Sequence, residues 1–479
     1  MRQLTATDAT FLNIERPGAP MHLTSLLIFD QSDRPDGRVV FQQILDAVEE
    51  RSAALPTYRQ RLLKVPFDLG YPWWYDDGTI DVEAHVRHMT LPEPRDWAQL
   101  CMEVGRLHSR PLDMAEPLWE LTVIDGLDHV EGVPAGSFAM VLKTHHCAID
   151  GASGMQVLAT LLDPEPNTPK IKPSVTTPDT RPTRGHLIRK AMTSAAQQQT
   201  RLVKTVATGL PAVGDLIRHV GEVRSTPDAP NQAPTSRFGG EVTAERAIEG
   251  TSIDMFDLLA VRNLVAGATI NDVVLSIVGG TLRRYLAAHD EVPDKSLVAA
   301  VPISLRREGD TDPGNQVSLM TVPLHTDIAD PIERLGAIGQ SAAGSKEMSQ
   351  ALIDTHLIDA ASQMPAALVT FSTRLAAQLG VGQQARRLFN TAVTNVPGTR
   401  EPSYTCGARL VSHFGFGPLQ NGAGLFHCVM GVEKRLFLAV TACPEMLPDA
   451  AFYRHCMEKD IAEHVAATRT RADRSDDSA

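Results

Sequence analysis

Positive charge is in short supply in this chain: 45 Lys and Arg stand against 57 Asp and Glu, a formal net charge of −12 over 479 residues. A protein whose main partner is nucleic acid needs a basic face to neutralise phosphates, so that class is set aside. Cysteine is scarce too. Cys101, Cys147, Cys406, Cys428, Cys443 and Cys456 show no zinc spacing and fit a reducing cytoplasm. Long apolar runs are missing: each is broken by a charge, Gly or Pro well before the ~20 residues a spanning helix requires. Any membrane contact is therefore expected to be peripheral. The start, Met1 to Asp8, lacks the charged-then-apolar layout of a secretory signal, and no export is expected. Aromatics make up 5%, with a concentration at Tyr71-Pro72-Trp73-Trp74-Tyr75, where packing is the expected role.

What is present gathers around Lys143-Thr144-His145-His146-Cys147-Ala148-Ile149-Asp150-Gly151. This stretch follows the apolar run Phe138 to Leu142, which suits a buried strand, and precedes Met155 to Leu162, which reads as a helix. A strand-to-helix turn thus presents two imidazoles and a carboxylate. Side chains alternate along extended backbone, so His145 and His146 should diverge rather than act as a pair, and one is expected to face a cavity. A histidine there suits the task of general base, because its unperturbed pKa lies near physiological pH. Asp150 would orient the loop, and Gly151 permits close packing. Other readings stay open at this point. Both rings could be hydrogen-bonded interior residues. A zinc site would need ligands from elsewhere. Cys147 as a nucleophile would need a histidine partner, yet its neighbours in sequence diverge from it.

At this length two domains are expected, and 43% hydrophobic residues suffice to fill both cores. Strands are expected at Thr24 to Asp30, Asp81 to His88, Pro117 to Ile124, Ala244 to Ile253, Leu297 to Arg306, Asn315 to Leu324, Phe389 to Gly398 and Arg435 to Ala442. Helices are expected at Phe41 to Arg51, Trp97 to Ser109, Met255 to Val265, Pro331 to Ser349, Pro365 to Leu379 and Ala450 to Ala467, with a frayed charged tail from Thr468. Thr269 is the expected N-cap of a further helix reaching Leu286. Asn271 and Asp272 would sit in its first turn, where the dipole favours a carboxylate and free amides can face a ligand. Proline accumulates between Pro164 and Arg184. Helical stretches from His186 to Thr208 and Val213 to Val220 follow, then a second polar, Pro-rich piece from Ser225 to Arg237. This divides the chain into a first lobe 1–164, a bridge 165–236 and a second lobe 237–479.

His-His-x-x-x-Asp-Gly resembles the active-site motif of the CoA-dependent acyltransferase superfamily. Together with Pro20-Met21-His22, Pro117-Leu118-Trp119-Glu120, Asn271-Asp272-Val273, Val301-Pro302-Ile303-Ser304 and Thr394-Asn395-Val396-Pro397-Gly398, it looks like the bacterial wax ester synthase/diacylglycerol acyltransferase family, and the resemblance covers nearly the whole chain. The resemblance implies an α/β fold of two similar chloramphenicol-acetyltransferase-like lobes, each a mixed sheet flanked by helices, with an active-site tunnel between them. It implies transfer of a long-chain acyl group from acyl-CoA to diacylglycerol or a fatty alcohol. His146 would be the general base, with direct attack and no acyl-enzyme, and His145 would support structure. Asn271 would be the oxyanion donor, with Asp272 shaping its turn. Ser304, Arg306 and Asn395 would line the lobe interface, and Arg283-Arg284, Arg306-Arg307 and Arg386-Arg387 would attract the CoA phosphates. No cofactor and no metal are implied, since acyl-CoA is a substrate. A membrane or lipid-droplet surface is the implied partner, with the bridge from His186 to Val220 as a contact. Near the carboxyl end, Asn421-Gly422-Ala423-Gly424-Leu425 and Met430-Gly431 depart from the family's pattern. Two other readings accompany this one: the same fold with an amine or polyketide-like alcohol as acceptor, and a lipid-binding droplet protein without turnover.

Overall fold

The computed structural model describes residues 1–35, 37–52, 55–76, 78, 80–149, 158, 160–167, 178–193, 233–304, 317–354 and 388–476. Two six-stranded mixed sheets form the framework, each with its own apolar core. The first runs in the order Tyr404–Thr405, Ala408–Phe416, His22–Asp30, Phe138–His145, Trp119–Asp125, Val86–Thr90. Its neighbours are antiparallel except the last pair, which is parallel. The second runs Val317–Pro323, Val298–Ser304, Thr391–Thr399, Leu425–Val432, Arg435–Ala442, Ala247–Asp254. There Thr391–Thr399 is parallel to both of its neighbours. A small sheet of Arg2–Gln3, Arg61–Leu63 and Trp73–Tyr75 sits beside the first.

The Phe138–His145 strand is buried at every position, as an apolar run covered on both faces should be. Lys143 is the chemical exception within it. Its ammonium lies 3.1 Å from the Glu120 carboxylate and donates to the carbonyls of Leu107 and Arg110 at 3.0 and 2.8 Å. Burial pushes its pKa down while Glu120 pulls it up, and the fixed acceptors replace the water it has lost. Trp119 anchors the neighbouring strand, its indole N–H donating to the Tyr58 carbonyl at 3.0 Å and its ring stacked on His85.

Residues 404–416 cross from the second half of the chain to complete the first sheet, with Ala408–Phe416 pairing against His22–Asp30. The division at 1–164, 165–236 and 237–479 therefore needs one exchange. Without it His22–Asp30 would be an edge strand with a row of unpaired backbone groups. The two sheets also meet directly. The Trp97 indole donates to Glu249 at 2.8 Å, and a Cβ on Gly250 would lie 2.6 Å from the Phe414 ring.

Several expected elements end elsewhere. Asp81 to His88 divides into a helical turn, Val82–His85, and the strand Val86–Thr90, because the Asp81 carboxylate caps the turn by accepting the Ala84 N–H at 3.2 Å. The last helix, Ala450–Asp476, continues through the expected tail. Leu425–Val432, which carries part of the atypical carboxyl-terminal segment, is a central strand of the second sheet. Of the bridge 165–236, a helix over 184–193 is described, with Leu187 and Ala191 buried and the Lys190 ammonium 4.4 Å over the Trp73 ring. The remainder of the expected bridge helices, the expected helix Pro365 to Leu379 and residues 155–157 and 159 of the expected helix Met155 to Leu162 lie outside the described residues. Among the described residues, no helix is long and apolar enough to cross a membrane.

Candidate active site

Antiparallel pairing sets His22, the first residue of its strand, opposite His145, the last of its own. A third element closes over this end of the sheet. Helix Ala6–Ile14 starts at Thr5, whose hydroxyl accepts the Asp8 N–H at 3.1 Å, and ends where Glu15 turns to extended backbone. Phe11 and Glu15, four residues apart, project to the same side. The two meet adjacent residues of the histidine turn: the Phe11 ring lies on His146 with centroids 3.8 Å apart, and the Glu15 carboxylate lies 3.4 Å from Nε2 of His145.

The paired histidines do diverge. His145 is fully buried, and its Nδ1 accepts the Cys147 N–H at 3.1 Å, which assigns the proton of the neutral ring to Nε2. At 3.4 Å from the Glu15 carboxylate, Nε2 is in polar contact with it rather than in a formed hydrogen bond. Burial alone would raise the Glu15 pKa. The polar contact with His145 and the hydrogen bond from the Met21 N–H outweigh it and hold the carboxyl below its ordinary value. His146 donates its backbone N–H to the Met21 carbonyl at 2.8 Å and is half-buried, with Nδ1 turned inside.

Behind this pair the side chains are closed off from the surface. His22 and His108 are both sealed, and their pKa values are pushed down to about 3, by burial first and, more weakly, by nearby charges that include Lys143. Nδ1 of His22 faces the His108 carbonyl at 3.3 Å, and Nδ1 of His108 faces the Thr24 hydroxyl at 2.7 Å. The interior-histidine reading thus describes His22, His108 and His145, whereas His146 differs in exposure. Cys147 is buried among Leu4, Leu62, Tyr71, Trp74 and Leu118. Burial, with Asp8 and Glu15 nearby, pushes its thiol well above the ordinary value, against the thiolate that a nucleophile needs.

The second lobe holds Asn271 and Asp272 at the start of helix Ile270–Ala287. Asp272 closes a capping box, its Oδ2 accepting the N–H and the hydroxyl of Thr269, each at 2.8 Å, while the Thr269 hydroxyl accepts the Asp272 N–H. Asn271 between them is half-buried. Asn395 is exposed on Thr391–Thr399, opposite Val429. Ser304 ends its strand opposite Val317, and its side chain lies outside the described residues, as do Asp150, Gly151 and Arg306. Of the basic pairs, Arg283 donates to the Thr326 carbonyl and Arg284 pairs with Glu463 at 2.6 Å, so both have protein partners. Arg306-Arg307 and Arg386-Arg387 lie outside the described residues. Among the described residues, no set of three His, Cys, Asp or Glu side chains is arranged to hold a metal ion.

Sequence reasoning missed Phe11 and Glu15. Their one trace was the i, i+4 spacing within a segment opened by a capping threonine.

Comparison with known proteins follows the same lines. Residues 4–274 match the wax ester synthase/diacylglycerol acyltransferase catalytic domain, and residues 313–464 match the C-terminal domain of the same family. A Mycobacterium tuberculosis protein with a provisional diacylglycerol O-acyltransferase name is 31% identical over 455 residues, covering 94% of this chain and 87% of the relative. The O-acyltransferase WSD of Acinetobacter baylyi is 29% identical over 460 residues, covering 94% and 93%. Among solved structures, the wax ester synthase/diacylglycerol acyltransferase from Marinobacter aquaeolei VT8 superposes with a TM-score of 0.68 at 25% identity, over 97% of this chain and 99% of that one. The first condensation domain of the calcium-dependent antibiotic synthetase shares the two-lobe fold, with a TM-score of 0.57 at 15% identity over 98% and 96%.

Proposed function

Because the chain belongs to the wax ester synthase/diacylglycerol acyltransferase family, we propose that it transfers a long-chain acyl group from acyl-CoA to the hydroxyl of diacylglycerol or a fatty alcohol. The products are triacylglycerol or wax ester, and free CoA. His146 is the general base. The observation that carries this reading is that His146 keeps partial exposure at the end of a sealed strand while His145 and Cys147 on either side of it are buried.

With Nδ1 inside, Nε2 of His146 is the nitrogen that meets the acceptor. It takes the hydroxyl proton as the alkoxide oxygen bonds to the thioester carbonyl carbon, and the carbonyl oxygen takes up negative charge. The Asn271 amide, fixed by the capping box beside it, is the proposed donor to that oxyanion. Collapse of the tetrahedral intermediate breaks the carbon–sulfur bond, and the leaving thiolate takes the proton from the imidazolium. Asp150 would fix the loop. Both acceptor and product are nearly insoluble in water, which supports work at a membrane or lipid-droplet surface. Exposed Phe67 and Met192, which lie near the contact of Gly70 with Ala191, offer apolar groups for it.

The test is CoA release from a long-chain acyl-CoA by the purified protein, with and without each acceptor. Release should need diacylglycerol or a fatty alcohol and should fall on the order of 10²- to 10⁴-fold in His146→Ala. Undiminished turnover in that variant would overturn the mechanism. Acyl-CoA binding with no release across the acceptors would favour a lipid-binding protein instead.

A further inference from the structure

We propose that Glu15 is a positioning residue for His146, acting through the ring of His145 and the backbone of Met21. The inference rests on the reading of His146 as the general base. A single carboxylate oxygen, Oε1, has two partners. It accepts the Met21 N–H at 3.2 Å and faces Nε2 of His145 at 3.4 Å. Each partner in turn holds His146. The Met21 carbonyl accepts the His146 N–H at 2.8 Å, which fixes the residue from the strand beside it. His145 holds the turn from within: its carbonyl accepts the Ala148 N–H at 2.9 Å, and its Nδ1 accepts the Cys147 N–H at 3.1 Å.

If the His145 ring rotated, the buried Cys147 N–H would lose its acceptor, at a cost of about 1–3 kcal/mol. That rotation is what the Glu15 contact opposes. His22 does not compete for the oxygen. Its Nδ1 faces a carbonyl and so carries the proton, leaving Nε2 bare, and that atom is 3.9 Å from Oε1. The helix that ends at Glu15 also delivers Phe11 onto the His146 ring. One short element therefore sets the imidazole from two sides, by a stack on its face and by a carboxylate behind its neighbour. A general base loses much of its advantage when displaced by an ångström, so the contribution belongs to kcat rather than to substrate binding.

Three variants test this by CoA release in the full-length protein. Glu15→Gln keeps an oxygen acceptor for both partners, Glu15→Asp keeps the charge but withdraws it by one methylene, and Glu15→Ala removes both. Glu15→Ala should lower kcat by about 10- to 100-fold with KM for acyl-CoA within about twofold, because misplacement acts on the chemical step. Glu15→Gln should recover most of the loss and exceed Glu15→Asp. A Glu15→Ala kcat within twofold of the parent overturns the proposal, and so does Glu15→Asp outperforming Glu15→Gln, an order that stays readable should the alanine variant fail to fold. Nitrogen-15 imidazole spectra provide a readout that needs no turnover. The parent should show His145 protonated at Nε2, and Glu15→Ala should lose that single tautomer, whereas an unchanged spectrum counts against the proposal. A parent protein that releases no CoA would defeat the general-base reading alone, and the spectra would still decide the geometry.

Discussion

The rings of Phe11 and His146 lie face to face, 3.8 Å between centroids and 15° from parallel. Stacking of this kind restricts rotation of the imidazole about χ2, and aromatic pairs are worth about 0.5–1.5 kcal/mol beyond their burial. Replacing the flat surface with a branched one should loosen the base without emptying the space. Phe11→Leu should lower kcat for CoA release by roughly 3- to 10-fold, in line with about 1 kcal/mol of lost restraint. Phe11→Tyr should stay near the parent value. Equal rates for the leucine variant and the parent would show that the stack does not restrain the base.

The buried histidines make the fold sensitive to acid. His22, His108, His413 and His427 have pKa values pushed down to about 3, with burial the leading cause at each. Their unfolded-state value is near 6.5. Between those limits the unfolded chain binds protons that the native protein does not, so stability rises with pH and is lost as pH falls through the window from about 6.5 to 3. Each such histidine changes stability by up to about 1.4 kcal/mol per pH unit there. Glu15, held below its ordinary value, adds the same sign at lower pH. The melting temperature, followed by scanning calorimetry, should fall steeply from pH 6.5 to pH 4.5. A flat profile over that range would contradict the neutral, buried state of these rings.

Two glycines give opposite expectations. Gly398 and Gly431 lie on neighbouring strands of the second sheet, and a Cβ on Gly398 would fall 1.6 Å from the Gly431 carbonyl oxygen. The register of the pair shifts at this point, and the backbones meet where no side chain fits. Gly398→Ala should destabilise by about 1–3 kcal/mol through overpacking, or more if the strands must separate. Gly336, within helix Pro331–Asp354, has nothing within 4 Å of the same position. Gly336→Ala should stabilise by about 1 kcal/mol through helix propensity. Urea unfolding of both variants checks the sign of each.

These cases mark how far the sequence could be read. Helix Trp97–Ser109 and the Thr269 cap were legible because apolar periodicity and a capping residue are local signals. The Ala408–Phe416 strand was not, because Ser412, His413 and Gly415 interrupt its apolar pattern and its partner, His22–Asp30, lies hundreds of residues earlier. The same distance hid half of the site. His145 and His146 stood out as a doubled residue after a buried run, but a lone glutamate at the end of a helix carries no mark of the ring it will meet 130 positions later. Asp81 misled through its side chain: alternation suggested a strand, and the carboxylate instead capped a turn.

In the proposed mechanism, the first turn of helix Ile270–Ala287 separates stability from catalysis in two adjacent residues. Asp272 is buried and accepts from both the backbone and the hydroxyl of Thr269, so its removal leaves a cap unmade. Asp272→Ala should cost about 0.5–2 kcal/mol of stability. It should also lower kcat, because the turn that aims the neighbouring amide is no longer fixed. Asn271 is only half-buried and, among the described residues, belongs to no such closed pair of bonds. Asn271→Ala should leave the melting temperature nearly unchanged and lower kcat on the order of 10²- to 10³-fold, the loss typical of one oxyanion donor. Thermal unfolding and CoA release measured on the same preparations distinguish the two. If Asn271→Ala lost stability and kept its rate, the donor would have to be sought elsewhere, and the helix start would be scaffolding alone.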